Sequence, residues 1–190
     1  YLDGLQRQKF LASLKIFLEN VNIHKLDGDI DYRTRNIIKF DEHDSNKIIS
    51  DVEIFNFIID NFGLDQQKSD QISINDRKFT CKLVSNNILW IEFNDFFRKA
   101  TGSKDYTYIS NKFDWVFISN FKKNNDDSID VIRRFISFID ITYTNRTKIK
   151  FFFNDIDIEN IYTGSKIENL WVRCKSRLSE MRTQEYLTNN

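Results

Sequence analysis

Four consecutive apolar residues, Trp115-Val116-Phe117-Ile118, constrain this chain more than any other feature. A strand with one wet face alternates apolar and polar positions, whereas an unbroken apolar run predicts a strand covered on both faces, as in a parallel sheet layered by helices. Lys148 to Phe153 reads as a second buried strand. Between the two, Ile129, Ile132, Ile136 and Ile139 recur at helical spacing, flanked by Val131, Phe135 and Phe138, while Asp126, Asp127 and Ser128 offer N-caps. Strand, helix and strand in that order predict a βαβ unit with a parallel pair, and therefore an α/β fold.

The remaining pattern fits around that unit. Leu11, Leu14, Leu18 and Val21 predict a helix over 5–21, and the acidic stretch 27–33 around Gly28 reads as a loop or strand end. Val52, Phe55, Ile59 and Phe62 predict a helix closed at Gly63. Beyond a polar connector at 65–71, Ile72, Ile74, Phe79, Cys81 and Leu83 follow a mostly two-residue period that breaks near Asn75-Asp76. A second apolar run at Ile88–Ile91 follows Asn86-Asn87, which suggests a hairpin there. Asp105 to Lys112 reads as a short helix or turn. A last helix runs from about Lys166 to Leu187, with Ile167, Leu170, Trp171, Cys174, Leu178 and Met181 on its apolar face.

Composition narrows the function classes. The 190 residues carry 28 Lys plus Arg and 28 Asp plus Glu, so net charge is zero, which argues against a general nucleic-acid or membrane-surface binder. No apolar run reaches the roughly 18–20 residues that cross a bilayer. The two cysteines, Cys81 and Cys174, lie far apart and fit a reducing compartment. The two histidines, His24 and His43, form no Cys/His cluster, so no metal site is expected. The chain opens on Tyr1 rather than Met, which reads as an internal or C-terminal piece of a longer polypeptide.

The search for chemistry is mostly negative: there is no G-x-x-x-x-G-K-[ST] phosphate loop, no G-x-S-x-G elbow and no Ser-His-Asp pattern. Three basic features stand out. Arg7 sits at a helix start, where a cation opposes the helix dipole. Arg133 and Arg134 interrupt an apolar helix and fall off its apolar arc. Arg173 and Arg177, spaced i, i+4, share a face of the last helix, and Arg177 can meet Glu180 at i+3. Arg133 and Arg134 read first as solvated residues of an outer face, and Arg173 and Arg177 as either a salt-bridged outer face or a contact for an anion or partner.

Taken together these segments resemble one family. Ile132-Arg133-Arg134-Phe135-Ile136, Phe138-Ile139-Asp140 and Tyr143 look like the R-R-F-I-x-L-I-D-x-x-Y block of the ZapE/AFG-one-like ATPases, AAA+ P-loop proteins of bacteria and mitochondria. Tyr1-Leu2-Asp3-Gly4-Leu5-Gln6-Arg7 with Phe10-Leu11 resembles L-Y-x-x-G-L-Q-R-x-x-F-L-P, and Leu26 to Arg33 resembles L-D-G-x-T-D-Y-R. Trp90-Ile91-Glu92-Phe93 is similar to W-F-x-F, Asp105-Tyr106 to D-Y, and Ile161-Tyr162 to L-Y. Ser176 to Met181 with Glu185-Tyr186-Leu187 resembles S-R-L-x-E-M-x-S-x-E-Y-L. Ala12 stands where the family has proline, and Cys174 where it has threonine.

The resemblance implies the C-terminal part of a P-loop AAA+ ATPase: the end of the core at 1–33, an insertion with a helix and a β-hairpin at 34–112, and a βαβ continuation or lid ending in a helix at 113–190. It implies ATP and Mg²⁺ as cofactors of the full-length protein, with the phosphate loop and Walker B carboxylate upstream of Tyr1 and neither cofactor bound by this piece alone. It makes Arg7 the candidate trans-acting arginine finger and Arg133 or Arg134 the candidate sensor-2 residue clamping phosphates, since phosphoryl transfer is catalysed largely by charge and positioning. Arg173 and Arg177 are candidate contacts for a partner or anion. The implied partners are further copies of the chain in a ring and a protein substrate, with no nucleic acid and with room for peripheral membrane association. The bacterial branch implies a cytoplasmic, division-associated role and the mitochondrial branch inner-membrane quality control. The alternative is a non-catalytic binding or oligomerisation module.

Overall fold

The structure, a computed structural model, describes residues 49–63, 69–85, 87–154 and 156–188. The expected elements at 5–21 and 27–33 lie outside the described residues, as do Arg7 and both histidines. Helix α1 spans Asp51–Phe62. Strands β1 (Ser69–Ile74), β2 (Arg77–Ser85) and β3 (Ile88–Glu92) follow. Helices α2 (Phe93–Phe97) and α3 (Ser103–Lys112) lead to β4 (Trp115–Ser119). A 3₁₀ turn at Asp126–Ser128 opens α4 (Ile129–Thr144), and β5 (Lys148–Phe151), α5 (Ile158–Ile161), α6 (Glu168–Met181) and α7 (Gln184–Thr188) complete the order.

One sheet of order β1-β2-β3-β4-β5 organises these elements. The expected parallel pair is present, with Val116 opposite Ile149 and Ile118 opposite Phe151. Strand β3 also runs parallel to β4, Leu89 opposite Val116, so a second βαβ unit precedes the first. The sheet runs unbroken through residue 112, and strands from the stretches 34–112 and 113–190 share its ladder. The break at Asn75-Asp76 is a hairpin turn: both residues have left-handed backbones (φ 49° and 62°), and Ile74 pairs with Arg77 across a two-residue loop, the geometry of a type I′ turn. Because β2 and β3 are also antiparallel, Ser85 opposite Ile88, the expected single hairpin is a three-stranded meander.

Both faces of the sheet are covered. Helix α1 lies against one, where Phe62 meets Trp115 and Phe117 edge-on and Phe57 meets Phe152. Ser50 and Glu53 form a capping box at its start, and Gly63 closes it with φ 69°, as its position predicts. On the other face, Phe93 and Phe97 of α2 pack on Phe135 of α4 at 4.9 and 5.2 Å between ring centroids, and Phe121 joins at 5.9 Å. Every residue of β4 is buried, as an unbroken apolar run requires.

Two expectations near the termini of helices are corrected. Ser128 is the N-cap residue of α4, as expected, but its side chain makes no capping bond; the capping bond belongs to the 3₁₀ turn, where Asn125 accepts the Asp127 N–H at 3.0 Å. Asp126 instead accepts the N–H groups of Ser165 and Lys166, each at 3.2 Å, and the Tyr162 hydroxyl. Gly164 is required in that latch, because a Cβ there would strike both Asp126 and Tyr162. The last helix is two: α6 ends at Met181, and Thr183 caps α7 by accepting the Tyr186 N–H at 3.2 Å. Leu170, placed on the apolar face by its spacing, is 36% exposed.

Phe135 is fully buried where α2, α4 and the strand-end residue Phe121 meet. Truncation there removes a ring that Phe93, Phe97, Phe121 and Trp171 all touch, so Phe135→Ala should lower unfolding free energy by about 3–5 kcal/mol, read from the urea midpoint at unchanged m-value.

Candidate functional site

An open cleft of about 460 Å³ lies where the α2–α3 connector, α3, α4 and the start of β2 converge, with Arg77, Ala100, Thr101, Gly102, Ser103, Lys104, Asp105 and Arg134 around it. Its rigid corner is Asp105, whose side chain is only 2% exposed. Arg77 Nη2 donates to both carboxylate oxygens at 2.6 Å, Asn75 Nδ2 to Oδ1 at 3.0 Å, and the Gly102 N–H to Oδ2 at 2.9 Å. Arg77 also donates to the Ala100 carbonyl. The I′ turn thus presents Asn75 and Arg77 to one acceptor at the third position of α3. Burial alone would raise the Asp105 pKa, but its donors outweigh that and hold it below the ordinary value of 3.8. Beside it, the Tyr106 and Thr101 hydroxyls share a buried hydrogen bond of 2.9 Å, and burial pushes the tyrosine up to about 12.

Arg134 reaches the cleft from α4. It is half-buried, and Nη1 donates to the Phe97 carbonyl at 3.1 Å, closing the C-terminal end of α2. That single bond leaves most of its guanidinium donors for the cleft. Arg133, one residue earlier, is exposed and outside the cleft lining. The structure therefore separates two arginines that the helical wheel treats alike.

Arg173 and Arg177 converge on Asp140 of α4: Arg173 Nη2 meets Oδ2 at 2.6 Å, and Arg177 Nη1 meets Oδ1. Arg177 lies over the Tyr143 ring, its guanidinium carbon 5.1 Å from the centroid, and the Tyr143 hydroxyl donates to Glu180 at 2.8 Å. The i, i+3 partner expected for Arg177 is thus taken by Tyr143, and the two blocks Ile139-Asp140…Tyr143 and Ser176-Arg177…Glu180 grip each other. Both arginines point at a carboxylate of their own chain.

Sequence reasoning missed Lys104, Arg77 and Lys150. Lys104 follows Gly102-Ser103 and looks like any surface lysine; only the fold brings it to the same cleft lining as Arg134. Lys150 is buried in β5, and burial, then the charge of Arg182, pulls its ammonium down to about 7. Its signal was a lysine inside a run expected to be buried on both faces. The thiols are packing groups: Cys81 and Cys174 are buried, and burial is the main cause that pushes both up, Cys81 to about 12. Among the described residues, no group of three His, Cys, Asp or Glu stands close enough to hold a metal ion, and no helix is long and apolar enough to cross a membrane.

Asp105 has a depressed folded-state pKa, so its stabilising contribution is complete above about pH 4 and is lost as pH falls through the folded value. Asp105→Asn should therefore flatten the acid limb of a stability-versus-pH curve below about pH 4 while lowering stability at pH 7. For the α4–α6 contact, a double-mutant cycle of Asp140→Ala and Arg177→Ala should give a coupling energy of about 1 kcal/mol that shrinks in high salt.

Comparison with known proteins places this geometry in a family. The family model described as AFG1-like ATPase matches residues 1–190. The chain is 26% identical over 192 residues to the cell division protein ZapE of Escherichia coli K12, covering 98% of this chain and 50% of that protein. It is 23% identical over 221 residues to the uncharacterized protein C115.02c of Schizosaccharomyces pombe, covering 98% and 48%. Over 157 residues it is 26% identical to lactation elevated protein 1 homolog B of Danio rerio, covering 78% and 30%. The chain thus spans about half the length, or less, of the curated relatives it matches. No solved structure matches. With its blocks in family order, its mixed α/β sheet and a family match from first residue to last, the chain belongs to the AFG1-like ATPases.

Proposed function

We propose that this chain is the C-terminal portion of an ATP-hydrolysing AAA+ protein that remodels a protein partner. The observation that carries the reading is Arg134, a half-buried cation anchored to the end of α2 with its remaining donors open to a cleft. A cation so held can meet developing phosphate charge without reorganising, which is how charge stabilisation accelerates phosphoryl transfer. Arg134 fits a sensor-2 role better than the exposed Arg133. Arg7 keeps the role of trans finger given by its motif.

Among the described residues the cleft's cations suit phosphate oxygens, and no carboxylate cluster suits Mg²⁺. On this reading the glycine-lysine cradle and the metal's carboxylate belong to the half of the protein that the resemblance places ahead of Tyr1. When bound, ATP supplies the phosphoryl group and Mg²⁺ neutralises its charge. Arg173 and Arg177 brace α6 on α4 and transmit force rather than contact the partner. The assembly is a ring of like subunits. The name of the Escherichia coli relative, a cell division protein, supports a division-associated role; a cytoplasmic location and a ring of division proteins as substrate are carried by the resemblance alone.

The test is ATP turnover by the complete assembly. Arg134→Ala and Arg7→Ala should each lower kcat by ~10²-fold or more, the scale of losing one positioned donor to transition-state charge. Wild-type turnover in either variant removes that residue from the mechanism, and absence of any turnover in the unaltered assembly favours a binding or oligomerisation module.

A further inference from the structure

We propose that the outer stripe of α1, formed by Val52, Phe55 and Ile59, is the docking face for residues 5–21 of the same chain, whose spacing makes them a basic amphipathic helix. Nothing in this depends on the ATPase reading.

The apolar excess of α1 carries the argument. The fold buries Ile54, Phe57 and Ile58 of this helix. The stripe that spacing picks out in the sequence is a different one: Val52 is 67% exposed and Ile59 36%, with Phe55 half-buried between them. At about 100° per residue, Phe55, Ile59 and Val52 share one sector of roughly 60°, beside the sheet-facing sector rather than inside it. A helix that serves one sheet needs one apolar stripe, and a second contiguous stripe on its outer side marks a contact with something else.

Charge selects the occupant. Helix α1 carries Asp51, Glu53 and Asp60 and no basic residue. A second copy of α1 would therefore set like charges against each other across the stripe. Residues 5–21 carry Arg7, Lys9 and Lys15 against Glu19 alone, and Phe10, Leu11, Leu14, Phe17, Leu18 and Val21 fall on one arc of their wheel. A helix of that length runs about 25 Å, enough to cover α1 at about 18 Å.

Position favours the same chain. Ile49 is pinned at the start of α1, where its N–H donates to Asn154 Oδ1 at 3.0 Å and its carbonyl accepts from Asn154 Nδ2 at 3.3 Å. The connection back to 5–21 thus leaves from the end of α1 that bears Val52, and a tethered segment acts at high effective concentration. Residues 5–21 also hold Arg7, so docking gives that arginine a fixed place relative to the sheet.

Two measurements on the full chain test the docking. A spin label on Asn56→Cys, exposed on α1, should broaden the methyl signals of Leu11, Leu14 and Leu18, with the buried Cys81 and Cys174 left unlabelled. Val52→Asp and Ile59→Asp should each speed amide hydrogen exchange across 5–21 by about tenfold or more, the scale of removing one aliphatic side chain from an apolar contact, while β4 keeps its protection. Both positions are exposed, and an acid at 52 suits a first helical turn, so the rest of the fold survives either change. Unchanged exchange in either variant, or no broadening from the label, overturns the proposal. Broadening seen only between a labelled copy and a separate isotope-labelled copy assigns the stripe to an interface between copies and overturns it as well.

Discussion

Burial of β4 on both faces is the constraint on which the other elements depend. A strand with no polar face cannot lie at the surface, so it must have paired neighbours on both edges and a helical layer above and below. Strands β3 and β5 supply the edges, both parallel to it, and parallel neighbours demand crossovers. Those crossovers are α2–α3 and α4. Their phenylalanines, Phe93, Phe97 and Phe135, interlock into one aromatic wedge, which sets where the first turn of α3 stands relative to α4. The cleft is the gap left at the rim of that wedge.

Three aspartates then tie segments far apart in sequence. Asp105 gathers donors from β2, from the turn before it and from the α2–α3 connector. Asp126 holds the loop at Gly164, and Asp140 joins α4 to α6. Each collects several donors at once, which for the buried Asp105 is what makes the loss of water tolerable. Two of the three fall in blocks that carry the family resemblance. Part of what those blocks record is mutual structural contact, as with Asp140 and Tyr143 against Arg177 and Glu180. A motif arginine is therefore not by itself a site residue.

That distinction decides how the four candidate arginines among the described residues divide. Arg173 and Arg177 are consumed by an internal carboxylate, Arg133 is exposed, and of these four Arg134 combines an anchor with an open cleft. On the proposed reading of an ATPase that works on a protein partner, both kinds of residue have a use. A fixed cation near phosphate senses hydrolysis, and a braced helix pair converts a small local shift into movement of a larger element. The α4 helix carries both, with Arg134 near its start and Asp140 near its end, so it is the element through which the two would couple.

Periodicity in the chain was enough to determine the α/β class, the parallel β4–β5 pair, α1 with its cap at Gly63, and the apolar stripe of α4, because burial of a face leaves a local signature at a spacing of two or of three and four. Family order of the blocks determined the kinship. The tertiary structure alone decided that β3 also runs parallel to β4, that Asn75-Asp76 is a turn, that the last helix breaks at Thr183, and that Asp126 caps a distant loop. It alone separated Arg134 from Arg133 and brought Lys104 to the same concavity. The physical reason is the range of the forces: burial patterns are written into neighbouring residues, whereas a carboxylate's choice of donors and a cation's access to a cleft depend on groups tens of residues away that only the folded chain brings within 3 Å or so.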